Sequence, residues 1–362
     1  MITRLKKITL VAMLMATASI SAFCSPEFVQ KSGGGYLPHS GQSIFDVINQ
    51  QDIVEMTLTA EIDSLIETRK TKEYRAADIS FKDGSGIVHN YQIRVKPRGK
   101  FRRRICDFPP LKIKFSKEQL EAAGLSKHND LKLVTHCMED ELYNENLLLR
   151  EYLTYKLYNE LSPNSFRTQL VKITYQDSHD KRNKQVRYGF LIEDVDELAD
   201  RMGGKECDDC FGLAQEQINT SQENVVALFQ YMIGNVDWNL DMHRNIKLIK
   251  KADGSHIAVP YDFDYSVLVG APYLRPNTDL QQTTAMERIF LGRTQESEKL
   301  NGTISYFKTK RKALLDIIRS FHYLNKQERF EIELYVESFF DQIDNRNSVD
   351  QMIFGKKDVG VR

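Results

Sequence analysis

The sequence predicts an α+β protein, a β-rich N-terminal lobe followed by a mostly helical C-terminal lobe. Three observations carry this. Between Val54 and Asp194 several short segments alternate apolar and polar residues, as half-buried strands do. One segment there, from about Tyr143 to Leu161, instead repeats leucine every four residues, at 149, 153, 157 and 161, the spacing of one helix face. Beyond Asp194 helical patterns dominate, ending in the amphipathic stretches ISYFKTKRKALLDIIRSF and NKQERFEIELYVESFFDQI. A chain of 362 residues is long enough for two lobes and a sizeable core.

The elements follow in order. Arg4, Lys6 and Lys7, the apolar run ITLVAMLMA and the small residues of ASISAFCS make residues 1–24 a secretory signal peptide by pattern. The run is too short for a comfortable membrane span, and no later segment approaches the ~18 apolar residues that one needs. The mature chain is expected to be exported, periplasmic or secreted, and monomeric. Lipidation at Cys24 needs a small residue before it, and Phe23 stands there, which argues against a lipid anchor. Residues 25–52 read as a Gly- and Ser-rich lead-in. The N-terminal lobe, 53–193, holds the strands VEMTLTA, AADISF, VHNYQIRVK, PPLKIKF, LKLVTH, TQLVKITY and VRYGFLIED, a short helix IDSLIET, and the leucine-patterned helix. The C-terminal lobe, 194–362, opens with the helix DVDELADRM, which ends at Gly203, and a helix ENVVALFQYMI capped by Ser221 and stopped by Gly234.

Charge and cysteines narrow the class. Lys plus Arg equals Asp plus Glu, 50 each, so charge gives no support for a nucleic-acid partner. Cys106, Cys137, Cys207 and Cys210 are an even set in a chain with an export signal, and the pairs Cys106–Cys137 and Cys207–Cys210 are expected. The single C-x-x-C, without a second ligand pair, is weak evidence for zinc.

Chemistry concentrates in GNVDWNLDMHRNIKLIKKADGSHIAVPYDFDYS, Gly234 to Ser266. A helix ends at Gly234, a loop carries Asp237, and Asn245 opens the strand IKLIK. Asp253-Gly254 turns the chain, HIAVP returns it, and Asp262 follows. The hairpin delivers Asn245 and Asp262 to one end, where two hard oxygen ligands suit Mg²⁺ or Mn²⁺. Asp237 is placed to serve as a base toward a substrate hydroxyl, with Asp241 as its rival. His243 reads as structural, and Asp264 as a second ligand or a cap. The run Arg102 to Arg104 reads as solvated, with phosphate or acidic-substrate binding as the alternative.

Helix, loop Asp, Asn, hairpin, Asp is the order of the protein-kinase catalytic and metal loops. The segment resembles the CotH family of atypical kinase-like proteins, related more distantly to HipA-type kinases. The residues that carry this are Asn235-Val236-Asp237, His243-Arg244-Asn245, IKLI and Pro260-Tyr261-Asp262. VKPRGKFRRR with FPPLKIKF is similar to the family's R-G-N segment and its following strand, with Lys100 in place of the Asn. The resemblance spans roughly Val54 to Ser266. It implies a two-lobed protein-kinase-like fold that binds ATP with Mg²⁺ or Mn²⁺ in the cleft. It also implies an N-lobe cation meeting the phosphates and a helix carboxylate. Glu151 is the candidate carboxylate; Lys132 is the candidate cation, with Lys112 and Lys114 as alternatives. Glu193 takes the position of an interlobe hinge.

The expected function is metal-dependent transfer of phosphate from ATP to a protein hydroxyl. Two alternatives remain: a catalytically inactive kinase-like scaffold of the cell envelope, and a metal-dependent phosphoesterase. The last needs a denser set of histidines than the one, His243, that lies close in sequence.

Overall fold

The computed structural model describes residues 41–71, 73–99, 101–137, 141–294 and 297–354. The signal peptide, Cys24, most of the lead-in and Lys100 lie outside the described residues. Seven strands form one closed barrel: β1 (Val54–Ala60), β2 (Arg75–Lys82), β3 (Val88–Pro97), β4 (Leu111–Phe115), β5 (Asp130–Val134), β6 (Thr168–Asp177) and β7 (Gln185–Ile192). Their order around the barrel is β1-β2-β3-β4-β5-β7-β6. Neighbours are antiparallel except at the closure, where β1 runs parallel to β6 from Val54↔Val171 to Ala60↔Asp177. The period-2 pattern decides the inside. Val54, Met56, Leu58 and Ala60 point inward and pack with Ile79, Phe81, Ile93, Val95, Ile113, Phe115 and Ile173.

Short helices decorate the barrel: α1 (Ile44–Ile48), α2 (Ile62–Glu67), α3 (Arg102–Ile105) and α4 (Lys117–Ala122). The long helix α5 (Glu141–Leu161) joins β5 to β6. Its leucine stripe is buried as the spacing predicts, with Leu153 and Leu157 fully enclosed, each contributing about 1.5–3 kcal/mol. After the barrel come α6 (Val195–Arg201), β8 (Gly204–Glu206), α7 (Thr220–Ile233), β9 (Ile246–Lys251) and β10 (His256–Pro260). The last helices are α8 (Ser297–Ser320), α9 (Lys326–Asp344) and α10 (Arg346–Phe354). Strands β8, β9 and β10 make a separate three-stranded sheet. Helices α5, α7, α8 and α9 share a second core with that sheet. The cap of α7 is Asn219, whose side chain accepts from the Gln222 amide, rather than Ser221.

The expectation of a two-lobed protein-kinase-like fold is corrected. The first seven strands do not form an open lobe sheet; the β1–β6 pairing rolls them into a seven-stranded barrel of mixed direction, with the small sheet apart from it. Closure leaves no unpaired edge along the barrel. The described residues all fall in one compact unit. Among them no helix is long and apolar enough to cross a membrane. Both expected disulfides are present, Cys106–Cys137 and Cys207–Cys210.

Candidate functional site

Helix α7 ends at Gly234 in the left-handed region, φ 66°. A Cβ there would collide with the Tyr335 hydroxyl and Val267, so only glycine makes the turn. The next residue, Asn235, is buried; its amide donates to Gln230 Oε1 at 3.0 Å and its Oδ1 accepts from the Asp237 N–H at 2.9 Å. A bridge from Asn235 to Ser266 ties this loop to the segment after β10. Asp237 is thus fixed by its predecessor two residues back.

The hairpin does what its sequence suggests. Ile246 pairs with Pro260, and the Asn245 carbonyl accepts from the Tyr261 N–H at 3.1 Å, so Asn245 and Asp262 flank the same end. Asn245 Nδ2 donates to the Asp237 carbonyl at 2.6 Å and to Asp237 Oδ2 at 3.1 Å. That commits the amide nitrogen and leaves the amide oxygen as a ligand. Asn245 and Asp262 both have left-handed backbone, φ 53° and 61°. Asn and Asp tolerate this better than most residues, yet two such positions facing each other are a local strain of the kind found at functional sites. The Asp262 N–H donates to the Tyr155 hydroxyl at 2.9 Å, which anchors it to α5.

A residue read as solvated organises the cluster. Arg102, at the start of α3, has its side chain only 14% exposed. Its guanidinium donates to Glu151 Oε2 at 2.7 Å and to Asp264 Oδ2 at 2.9 Å, and lies 3.7 Å from Asp262 Oδ1. Tyr273 completes Asp264 with an O–H donated at 2.6 Å. The Cys106–Cys137 disulfide, with the Asp107 N–H donated to the Cys137 carbonyl at 2.7 Å, pins the end of α3 beside the exit of β5. That crosslink holds Arg102 in the cluster.

Three carboxyl groups gather around one guanidinium, and burial and mutual repulsion favour their protonated forms. Burial pushes Glu151 up to about 8, Arg102 opposing and Asp264 and Asp262 adding. The Asp262 side chain is 43% exposed, yet the protein crowded around its carboxyl and the Asp264 charge push it up to about 6, against Arg102 and Arg98. Burial also lifts Asp237, with Arg244 opposing and Asp264 adding.

The lysines separate. Lys112 is paired with Asp130 at 2.9 Å on the barrel wall and does not meet Glu151. Lys114 faces the same Asp130 at 4.0 Å. Lys132 has no carboxylate within ion-pair distance among the described residues; its ammonium sits 4.9 Å from the Phe166 ring centre and 5.8 Å from that of Tyr261. Burial, then the charge of Arg98, pull it down to about 8. The expected lysine–glutamate pair is replaced by Arg102–Glu151, and Lys132 is left beside Tyr261, next to Asp262. The charge of Arg98 bears on both Lys132 and Asp262.

Other candidates fall away from it. The Asp241 carboxylate is paired with Arg293. Glu193 is fully buried between Arg167 at 2.8 Å and Arg201 at 2.7 Å, a network that ties α6 to β6. His243 Nε2 donates to the Cys210 carbonyl at 2.8 Å and its ring stacks on Phe211, as a structural residue would.

Asn245 and Asp262 flank one end of the hairpin, and their side chains carry oxygen donors of the kind a hard divalent cation takes. Arg102 was legible only as part of a basic triplet; the cysteine four residues on is the signal that could have marked it as fixed. Compared with known proteins, the chain matches no family model and no curated sequence.

Proposed function

We propose that this cleft is a phosphotransferase site of an exported, CotH-like enzyme, moving phosphate from ATP to a protein hydroxyl with Mg²⁺ or Mn²⁺. The observations that support the reading are a half-buried lysine without a carboxylate partner among the described residues, Lys132, packed on Tyr261 just before Asp262, and three carboxyls gathered on the one guanidinium of Arg102. A polyphosphate with a divalent ion would supply an anion for Lys132 and a counter-charge for the carboxyls. Asn245 and Asp262 would hold the ion, which when bound would neutralise phosphate charge. Lys132, with Arg98, receives the phosphate oxygens. Arg102 holds Glu151 and Asp264 in place and keeps their charge from expelling the nucleotide. Asp237 orients the acceptor hydroxyl and takes its proton; burial raises its carboxyl and suits it to that task. Catalysis is then chiefly positioning and electrostatics.

Export is supported by the N-terminal pattern, the two disulfides and the lack of a spanning helix among the described residues. The phosphoesterase reading loses its one histidine, because His243 is committed to Cys210 and Phe211. The test is transfer of labelled γ-phosphate to casein-like acceptors or to the chain itself. Asp237→Asn should abolish transfer and keep nucleotide binding, while Asp241→Asn keeps both. Transfer retained in Asp237→Asn removes the base assignment. Nucleotide binding without transfer in the unaltered protein supports the inactive-scaffold alternative instead.

A further inference from the structure

A second constellation lies outside the cleft. Cys207 and Cys210 stand on the loop after β8, and His256 opens β10, 46 residues beyond Cys210. Both sulfurs and an imidazole nitrogen lie within 4.8 Å of one another. His256 is 3% exposed. Its Nδ1 donates to the Gln217 carbonyl at 3.1 Å, which fixes the tautomer and leaves the Nε2 lone pair, 3.5 Å from Cys210 Sγ, aimed at the sulfurs. A carbonyl behind one ring nitrogen and a ligand position before the other is the arrangement of metal-binding histidines. Asp209 Oδ1, 3.6 Å from Cys207 Sγ, stands at the open side.

We propose that reduction of the Cys207–Cys210 disulfide creates a Zn²⁺ site built from the two thiolates and His256 Nε2, with water or the Asp209 carboxylate in the fourth position. A dithiol reductant supplies two electrons and two protons, cleaving the S–S bond to two thiols and leaving as its own disulfide. Zn²⁺ then displaces the two thiol protons. A sulfur–imidazole set selects zinc over the hard cations suited to the oxygen donors of the cleft, so the two sites do not compete. The ligands are preorganised. The Cys207 N–H donates to the Leu248 carbonyl at 2.8 Å, the Cys210 carbonyl accepts from His243, and the Gly212 N–H donates to the Asp241 carbonyl at 3.3 Å. The loop is therefore held against β9 and the Asp237–Asn245 segment whichever state the sulfurs are in.

The test uses the full chain, reduced with a phosphine, desalted without oxygen and titrated with Co²⁺. One equivalent should give a thiolate-to-cobalt charge-transfer band with tetrahedral ligand-field bands, and Zn²⁺ should bleach them. The oxidised protein should give none. Cys207→Ser with Cys210→Ser should abolish the band. His256→Gln should weaken Zn²⁺ by at least about tenfold, since outer-shell partners alone are worth about 10–100-fold. A reduced wild-type protein with no band overturns the proposal without recourse to any variant. So does a band that persists in the double serine variant, or one already present in the oxidised protein.

Discussion

Replacing Arg102 by methionine removes the one cation that Glu151, Asp264 and Asp262 share. The attraction to Asp264 at 2.9 Å is about 6 kcal/mol gross at an effective dielectric of about 20, while Glu151, at 2.7 Å, is mostly protonated at pH 7 and accepts as a neutral carboxyl. Most of that attraction is offset by the cost of taking the charges out of water. Asp262, at 3.7 Å and partly exposed, adds little. Breaking a buried pair by removing one partner costs about 3–5 kcal/mol, because the other charge stays behind. That is the expected loss at pH 7. Glu151 already holds its proton up to about 8, above its unfolded value, so its contribution is full below the unfolded value and lost as pH rises through about 8. Without Arg102 the carboxyls bind protons more tightly still, so the variant should recover stability as pH falls from 7 to 5.5. Urea unfolding at both pH values measures this, with an unchanged m-value showing that the transition is comparable. A loss under about 1 kcal/mol at pH 7, or a deficit that does not shrink at pH 5.5, refutes the buried-cluster reasoning.

Three further outcomes follow from the same geometry. Lys132→Met removes a buried charge that has no carboxylate partner, so stability should hold or rise while stabilisation by ATP with Mn²⁺ disappears; a large drop in melting temperature would mean that the lysine is a structural ion-pair member instead. Mn²⁺ alone competes with the proton on Asp262, so its affinity should fall as pH drops through about 6 and level off above it. Asp262 and Glu151 both have folded values above the unfolded ones, so the metal-free protein loses their contribution as pH rises through about 6 and about 8, and Mn²⁺ should recover part of that loss; melting scans from pH 5 to 8 with a pH-independent Mn²⁺ shift would contradict it.

Local pattern was readable and long-range pairing was not. VEMTLTA is β1 residue for residue, the leucine repeat is α5, and IKLIK with HIAVP is the β9–β10 hairpin, because each depends on neighbours in sequence. The closure of the barrel depends on β1 meeting β6 more than a hundred residues later, and nothing in the alternation of either strand names its partner. The lobe reading failed there. The placement of Asp237 after a helix end, and of Asn245 and Asp262 at one end of a hairpin, was legible because each depends on residues close in sequence. Arg102 was not, because its partners Glu151 and Asp264 come from α5 and from beyond β10. Three consecutive arginines look the same in sequence whether solvated or buried. His256 escaped notice for the same reason: its sulfur neighbours are joined to it through the small sheet rather than by spacing.

The central claim is that Asp262 helps to hold a divalent ion that bridges a bound polyphosphate. The most direct measurement is isothermal titration of wild type and Asp262→Ala with ATP in the presence and absence of Mn²⁺. The account predicts Mn²⁺-dependent ATP binding in the wild type, and melting stabilised by about 2.7 kcal/mol once ligand reaches a hundredfold over its dissociation constant. It predicts loss of the Mn²⁺ dependence in Asp262→Ala. Equal Mn²⁺-dependent binding in the two proteins, or no nucleotide binding to the wild type at millimolar concentration, would contradict it.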